Sequence, residues 1–415
     1  MKEKNQFTRG ALLGAFAMFL AVVVSVAGGW ALKEVLQKKE IPQIEKIAPK
    51  KDNEDSKEEA LLDKETLKKL LEIQGIIDKY YLYEDELDTQ KMKDGLCKGL
   101  LYGLEDLYAA YYDTMESKEV KESFAGSYSG TGATMSQDQE TGIITITEVP
   151  EGSPAAEGGL MEGDILIKVD GEDVRSMDLG QVVNLVKGED GTTVKLTVLR
   201  GEDEEEVTLK IIRRTIEKQT VDYAVRDGIS YIRIDEFDDV TLEQFQSALA
   251  GSEEEGMEGL VIDLRGNPGG NLDTVCEILD LLLPKGLIVY TEDKEGNRDT
   301  YTSDEEHQFN KPMVVLVDES SASASEIFAG AVQDYERGVI MGVTTYGKGV
   351  VQNLFTLSDG TILKFTTEEY FTPKGRNIHK KGIEPDIEVE YDEESESDNQ
   401  LEEAVRHVRK MIEEQ

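Results

Sequence analysis

Met313-Val314-Val315-Leu316-Val317, followed by Asp318-Glu319-Ser320-Ser321-Ala322-Ser323-Ala324-Ser325-Glu326 and a helical pattern to Tyr335, decides the reading of this chain. An uninterrupted run of β-branched and aliphatic residues reads as a strand buried on both faces. The serines form a turn, and Ser325 to Tyr335 reads as the next helix. Two similar units flank it. Leu260-Val261-Ile262-Asp263-Leu264 is a strand that runs into the loop Arg265-Gly266-Asn267-Pro268-Gly269-Gly270-Asn271 and a helix from Asp273 to Leu283, stopped by Pro284. Val339-Ile340-Met341-Gly342-Val343 is a third strand, followed by Gly347-Lys348-Gly349. Alternation of strands and helices implies parallel pairing. Ligands of open α/β sheets bind beyond the carboxyl ends of the strands. The glycine loop, the serine turn and Lys348 therefore converge on one edge of one sheet.

That convergence suggests a Ser/Lys hydrolase, in which a neutral lysine replaces histidine as the base. Of the three histidines, His307, His379 and His407, none sits in such a context. Unperturbed lysine titrates near ~10.4, and bringing it down by roughly 3 pH units costs about 4 kcal/mol, normally through burial. Gly347 and Gly349 would turn the side chain inward, Val350-Val351 would desolvate it and Gln352 would orient the amine. Gly269, Gly270 and Ala324 offer backbone N–H groups to a developing oxyanion. Ser323-Ala324-Ser325-Glu326 also fits a capping box, in which serine only ends a helix. On residue type alone Ser321 and Ser325 rival Ser323. A Gly-x-Ser-x-Gly elbow is absent, which argues against an α/β-hydrolase.

The remainder of the 415 residues has room for two or three domains. Hydrophobic residues make up 39%, enough for packed cores. The net charge of −41, from 45 Lys+Arg against 86 Asp+Glu, argues against a nucleic-acid partner. Cys97 and Cys276 lack metal-ligand spacing and read as buried free thiols. Lys2, Lys4 and Arg9 precede an uncharged run from Gly10 to Leu32, long enough to span a bilayer. The length favours a retained anchor over a cleaved signal peptide, although Ser25-Val26-Ala27 resembles a cleavage site. The charge bias places the bulk of the chain outside the cytoplasm, as a single-pass membrane protein. The expected layout is an anchor over 1–32, a charged stalk over 33–60, a helical region over 61–117, a β-rich domain over 118–213, an α/β core carrying the three loops over 214–392 and a C-terminal helix over 393–415.

In the helical region, Leu67, Leu70, Leu71 and Ile77 share one stripe and Met92, Leu96, Leu100 and Leu101 another, as in a helical hairpin or a dimerisation arm. From 118 to 213 short strands and turns alternate. Ile143 to Val149 alternates in polarity, Ser153-Pro154-Ala155-Ala156 opens a short helix, Gly163 to Gly171 is a strand entering a turn, and a helix from Leu179 to Val186 precedes a strand from Thr193 to Leu199. This segment resembles a PDZ domain. Gly130-Thr131-Gly132-Ala133 stands where PDZ domains bind a peptide's terminal carboxylate, and the next strand pairs with the peptide.

From about Leu70 onward the chain resembles a carboxyl-terminal processing protease of the S41 peptidase family. The motifs are Leu104-Glu105-Asp106-Leu107-Tyr108, the PDZ-like segment, Asp263 to Gly270, Ser321 to Glu326, Tyr346-Gly347-Lys348-Gly349 with Gln352, Tyr370 to Arg376, and Gly382-Ile383-Glu384-Pro385-Asp386. The resemblance implies an α+β multidomain fold: a helical N-terminal region and a PDZ-like domain before an α/β core with a mainly parallel sheet. It implies Ser323 as nucleophile, Lys348 as base, Gln352 as the residue orienting the lysine, and the N–H groups of Gly269 and Ala324 as the oxyanion hole. Many relatives have arginine at Lys187, where it couples the peptide-loaded domain to the active site; lysine lacks the planar fork. The implied protein is a homodimeric serine endopeptidase that takes protein substrates by their C-termini, with no metal or cofactor. The rivals are a catalytically idle peptide-binding scaffold and a hydrolase of non-peptide esters.

Overall fold

The structure is a computed structural model. It describes residues 61–414, apart from Glu202, His307, Gln308 and Glu396. The expected anchor (1–32) and stalk (33–60) lie outside the described residues. Among the described residues no helix is long and apolar enough to cross a membrane. The chain divides into two compact units: the residues through Ser117 joined by Gln352–Thr366, and Lys118–Val351 joined by the residues from Thr367 on.

In the first unit, α1 (Lys64–Tyr80) is capped by Asp63, whose Oδ1 accepts from the Thr66 amide at 2.7 Å, and α2 (Thr89–Tyr102) is capped by Asp88. Strand β1 (Ala110–Tyr112) pairs antiparallel with residues 362–364. Leu101 and Asp94 are the buried residues of α2, and the Tyr111 hydroxyl donates to Asp94 Oδ1 at 2.9 Å. Burial pushes the Tyr111 hydroxyl up to about 12. The stripes read from the sequence are helical, but Leu67, Leu71, Leu96 and Leu100 are exposed. Cys97 is half-buried rather than buried.

The second unit opens with α3 (Thr114–Ala125), which begins in the last residues of the first. A ribbon of β2 (Ser127–Gly130) and β9 (Arg214–Glu217) brackets the β-rich domain, so the ribbon extends past residue 213. Between them lie β3 (Thr134–Gln137), β4 (Ile144–Glu148), α4 (Pro154–Glu157), β5 (Ile165–Val169), β6 (Glu172–Asp173), α5 (Leu179–Val186), β7 (Thr193–Arg200) and β8 (Glu205–Ile212). The strands pair antiparallel in the order β3-β4-β5-β7-β8. Ile144 and Ile146 face a core with Leu166, Val182, Val194 and Leu196. Ser153 Oγ caps α4 by accepting from the Ala156 amide.

The core sheet runs β10 (Val221–Arg226), β11 (Ile229–Ile234), β12 (Gly259–Asp263), β15 (Met313–Val317), β16 (Val339–Gly342), β19 (Ile387–Glu388). All neighbours are parallel except β10 with β11. Helices α6 (Thr241–Glu254), α7 (Leu272–Asp280) and α8 (Ala324–Asp334) share a core with Leu260, Ile262, Met313, Val315 and Val317. The alternate residues Val261, Val314 and Leu316 pack with Ala404 and Val408 of α9 (Asn399–Glu413) on the other face. Both faces being covered is why β12 and β15 read as unbroken apolar runs. Strand β13 (Gly286–Asp293) pairs antiparallel with β14 (Arg298–Ser303) and with residues 368–371. Strands β17 (Val350–Thr356) and β18 (Ile362–Phe371) contribute residues to both units.

Candidate active site

The loops that follow β12, β15 and β16 are adjacent because those strands are adjacent. The structure separates the three serines of the turn. Ser321 and Ser325 are fully buried, and their hydroxyls donate to the carbonyls of Leu264 (2.8 Å) and Asn267 (3.0 Å). Ser323 is half-buried and caps α8 with φ 54° and ψ −112°. A non-glycine residue in the left-handed region is strained and persists only where its surroundings hold it. The Ala324 amide opens the first turn of α8, at the positive end of the helix dipole.

Gly269 lies against this turn. Its φ is +108°, and a Cβ there would meet Ala322 O at 2.7 Å, Ser323 Cβ at 2.8 Å and Ala324 N at 2.9 Å. Only glycine permits that approach. The N–H expected to serve an oxyanion is engaged here: it donates to Asn267 Oδ1 at 2.8 Å. Asn267 is itself fully buried. Its Nδ2 donates to Ile234 O at 2.8 Å, and its carbonyl accepts from the Ala322 amide as well as from Ser325. Gly270 bridges to Phe237, and Asn271 Nδ2 donates to the carbonyl of Phe124 at the end of α3 (3.1 Å).

Lys348 is half-buried, with Val350 buried beside it. Gly347 and Gly349 serve a purpose the sequence did not disclose. A Cβ on Gly349 would lie 2.5 Å from His379 N, and one on Gly347 3.0 Å from Lys381 N. Residues 379–382 thus form a wall against the loop, and the Lys380 amide donates to Gly347 O at 2.7 Å. The backbone of His379 backs onto Gly349, although it is 30 residues away in sequence.

Glu326, fully buried, links the two loops. Its Oε2 accepts from the amides of Ser323 (2.9 Å) and Lys348 (2.8 Å), and its Oε1 from the Gly347 amide (2.7 Å) and the Thr345 hydroxyl (2.6 Å). The buried Tyr370 hydroxyl lies 2.6 Å from Lys348 O and 3.1 Å from Ser323 O. Gln352, in the first unit, places Nε2 3.3 Å from Thr366 Oγ1. Neither Glu326 nor Tyr370 was assigned a role from sequence.

Around the glycine loop, Arg265 pairs with Asp263 and with Asp398, the cap of α9. Burial works against its charge, yet the two carboxylates hold the guanidinium above its ordinary range. Burial raises Asp398, but bonds from Arg265 and the Leu401 amide prevail and leave its carboxyl lowered. Burial, then Glu236, pushes the Asp238 carboxyl up to about 6 against the pull of Lys218. Burial also raises the Cys276 thiol. Among the described residues no group of three or more His, Cys, Asp or Glu is placed to hold a metal ion.

In the β-rich domain, Thr131 is buried and its carbonyl accepts from the Ala155 amide. Gly132 has φ +78° beside Ile216 and Ser153. This turn leads through Ala133 into β3, an edge strand of its sheet. Lys187 caps α5, and its Nζ donates to Glu122 Oε2 of α3 at 2.9 Å, above the Tyr128 ring.

Comparison with known proteins finds a PDZ segment followed by an S41 peptidase segment. The Peptidase family S41 model matches residues 228–389, and a PDZ domain model matches residues 145–200. The carboxy-terminal processing protease CtpA of Bacillus subtilis is 36% identical over 310 residues, covering 74% of this chain and 66% of its own. A carboxy-terminal-processing protease of Bartonella bacilliformis is 34% identical over 311 residues, covering 73% and 70%. The chain spans 62–66% of the length of the first four curated relatives it matches. The solved photosystem II D1 C-terminal processing protease is 28% identical, with a TM-score of 0.44, over 77% of this chain and 92% of its own.

Proposed function

The chain belongs to peptidase family S41, and on that premise we propose that it is a serine endopeptidase acting on proteins recognised through their C-termini. Ser323 Oγ attacks the peptide carbonyl while Lys348 Nζ takes its proton. The lysine then gives that proton to the departing amine. Water, deprotonated by the same lysine, opens the acyl ester and frees Ser323. The Ala324 N–H, at the helix start, faces the developing oxyanion. The Gly269 N–H joins it once its peptide turns away from Asn267 Oδ1. The observation that carries this reading is Ser323 itself, the strained, half-buried serine between two buried ones, with its backbone amide on the same carboxylate oxygen as that of Lys348.

Substrate capture is assigned to the edge strand β3, which a peptide would extend, with Gly130, Thr131, Gly132 and Ala133 at the carboxylate end. Lys187, through Glu122, is the coupling residue. The protein is proposed to be exported and held to the membrane by the run Gly10–Leu32, and to dimerise through the exposed stripes of α1 and α2. A peptide with a free C-terminus is expected to be cleaved faster than the same peptide amidated, since losing one charge-assisted bond removes roughly 1.5–3 kcal/mol of binding. Lys187→Ala should blunt that difference and Lys187→Arg keep it. Equal rates on the two peptides would refute the capture role. The Gly269 N–H bonded to Asn267 favours a second reading, a peptide-binding scaffold without turnover. A fluorophosphonate separates the two, because only the enzyme becomes labelled at Ser323.

A further inference from the structure

We propose that Glu326 is the positioning residue that sets the nucleophile turn against the lysine loop; this rests on the Ser323/Lys348 reading above. Its place in Ser-x-x-Glu accounts for one contact, the bond to the Ser323 amide that a capping box predicts. The other three go to Thr345, Gly347 and Lys348, 19 to 22 residues further along the chain and on a different strand-end loop. Helix capping alone does not call for them. All four donors are neutral, three backbone amides and one hydroxyl, and a carboxylate can only accept. Burying such a group is costly unless every lone pair it offers is met, and here two donors meet each oxygen.

The backbone polar atoms of Gly347 and Lys348 are all held. Glu326 takes the Gly347 and Lys348 amides, Lys380 donates to Gly347 O, and Tyr370 reaches Lys348 O and Ser323 O. Thr345 extends the clamp, since its hydroxyl donates to Glu326 and accepts from the Ile383 amide at 2.7 Å. The strained φ of Ser323 has a physical source in the same residue. The Ser323 amide and the Lys348 amide share Oε2, so the turn cannot relax without letting go of the lysine loop.

The test uses the full chain and the variants Glu326→Gln, Thr345→Val and Thr345→Ser, with Ser323→Ala and Lys348→Ala as controls. Glutamine is isosteric, but its NH₂ must face either the Ser323 and Lys348 amides or the Gly347 amide and the Thr345 hydroxyl; the hydroxyl can turn to accept and an amide N–H cannot, so at least one of the four bonds fails. Glu326→Gln is expected to lower kcat about 100-fold, to change KM less than about threefold, and to displace the pH dependence of kcat/KM. Thr345, itself buried, is the second lever: Thr345→Val should lose roughly 3–10-fold in kcat, and Thr345→Ser, which keeps the hydroxyl, should regain it. A folded Glu326→Gln protein with kcat within about threefold of wild type and an unmoved pH profile overturns the proposal. Should Glu326→Gln fail to fold, equal kcat values for Thr345→Val and Thr345→Ser overturn it. Turnover that survives Ser323→Ala or Lys348→Ala refutes the underlying dyad instead, a different outcome from either of these.

Discussion

Ser323→Ala and Lys348→Ala are each expected to lower kcat/KM on a peptide by a factor on the order of 10⁴ or more, with the double variant little worse than either. In the proposed mechanism the two side chains act in one proton transfer, so removing either removes the step. Ser321→Ala is the informative contrast. Its hydroxyl is buried on Leu264 O, so this change should weaken folding by roughly 1–2 kcal/mol and leave the chemistry in place. Peptide turnover and thermal unfolding on the same preparations check both parts. Additive losses from Ser323→Ala and Lys348→Ala would mean that the residues act in separate steps.

Gly269→Ala is expected to reduce turnover roughly 100- to 1,000-fold and to slow fluorophosphonate labelling of Ser323 in parallel. The added methyl would approach the carbonyl of Ala322, Ser323 Cβ and the amide of Ala324, two backbone atoms and the nucleophile's own carbon, none of them a flexible side-chain end. The φ of +108° adds strain for any L side chain. Gly266→Ala is the control. Gly266 also has a positive φ, but the atom nearest its Cβ is 4.0 Å away, so that variant should lose stability more than rate. Wild-type labelling by Gly269→Ala would remove this glycine from the site.

The topology was legible because its signals are local. Unbroken apolar runs at β12 and β15, the helix from Leu179 to Val186 and the Asp170-Gly171 turn each follow from neighbours in sequence. The convergence of three loops on one sheet edge followed from strand order alone. The role of Glu326 was not legible, because three of its four partners lie on another strand-end loop and the visible pattern matched an ordinary helix cap. Gly347 and Gly349 read as conformational freedom, when the need is room for the backbone of residues 379–382. Asn267 was quoted within a motif, but its hold on the Gly269 amide depends on the fold of that loop. Choosing among Ser321, Ser323 and Ser325 needed family resemblance; what the structure adds is that Ser321 and Ser325 are fully buried with their hydroxyls on backbone carbonyls, whereas Ser323 is half-buried.

The central claim is that a neutral Lys348 takes the Ser323 proton. Its most direct measurement is the single-turnover rate of acylation of Ser323 between about pH 6 and 10, in the wild type and in His379→Gln, since His379 is the histidine the structure brings beside the lysine loop. The rate is predicted to rise with pH through one apparent ionisation well below lysine's usual ~10.4, and to do so identically in the two proteins. A flat profile, or an ionisation that disappears with His379, would contradict it.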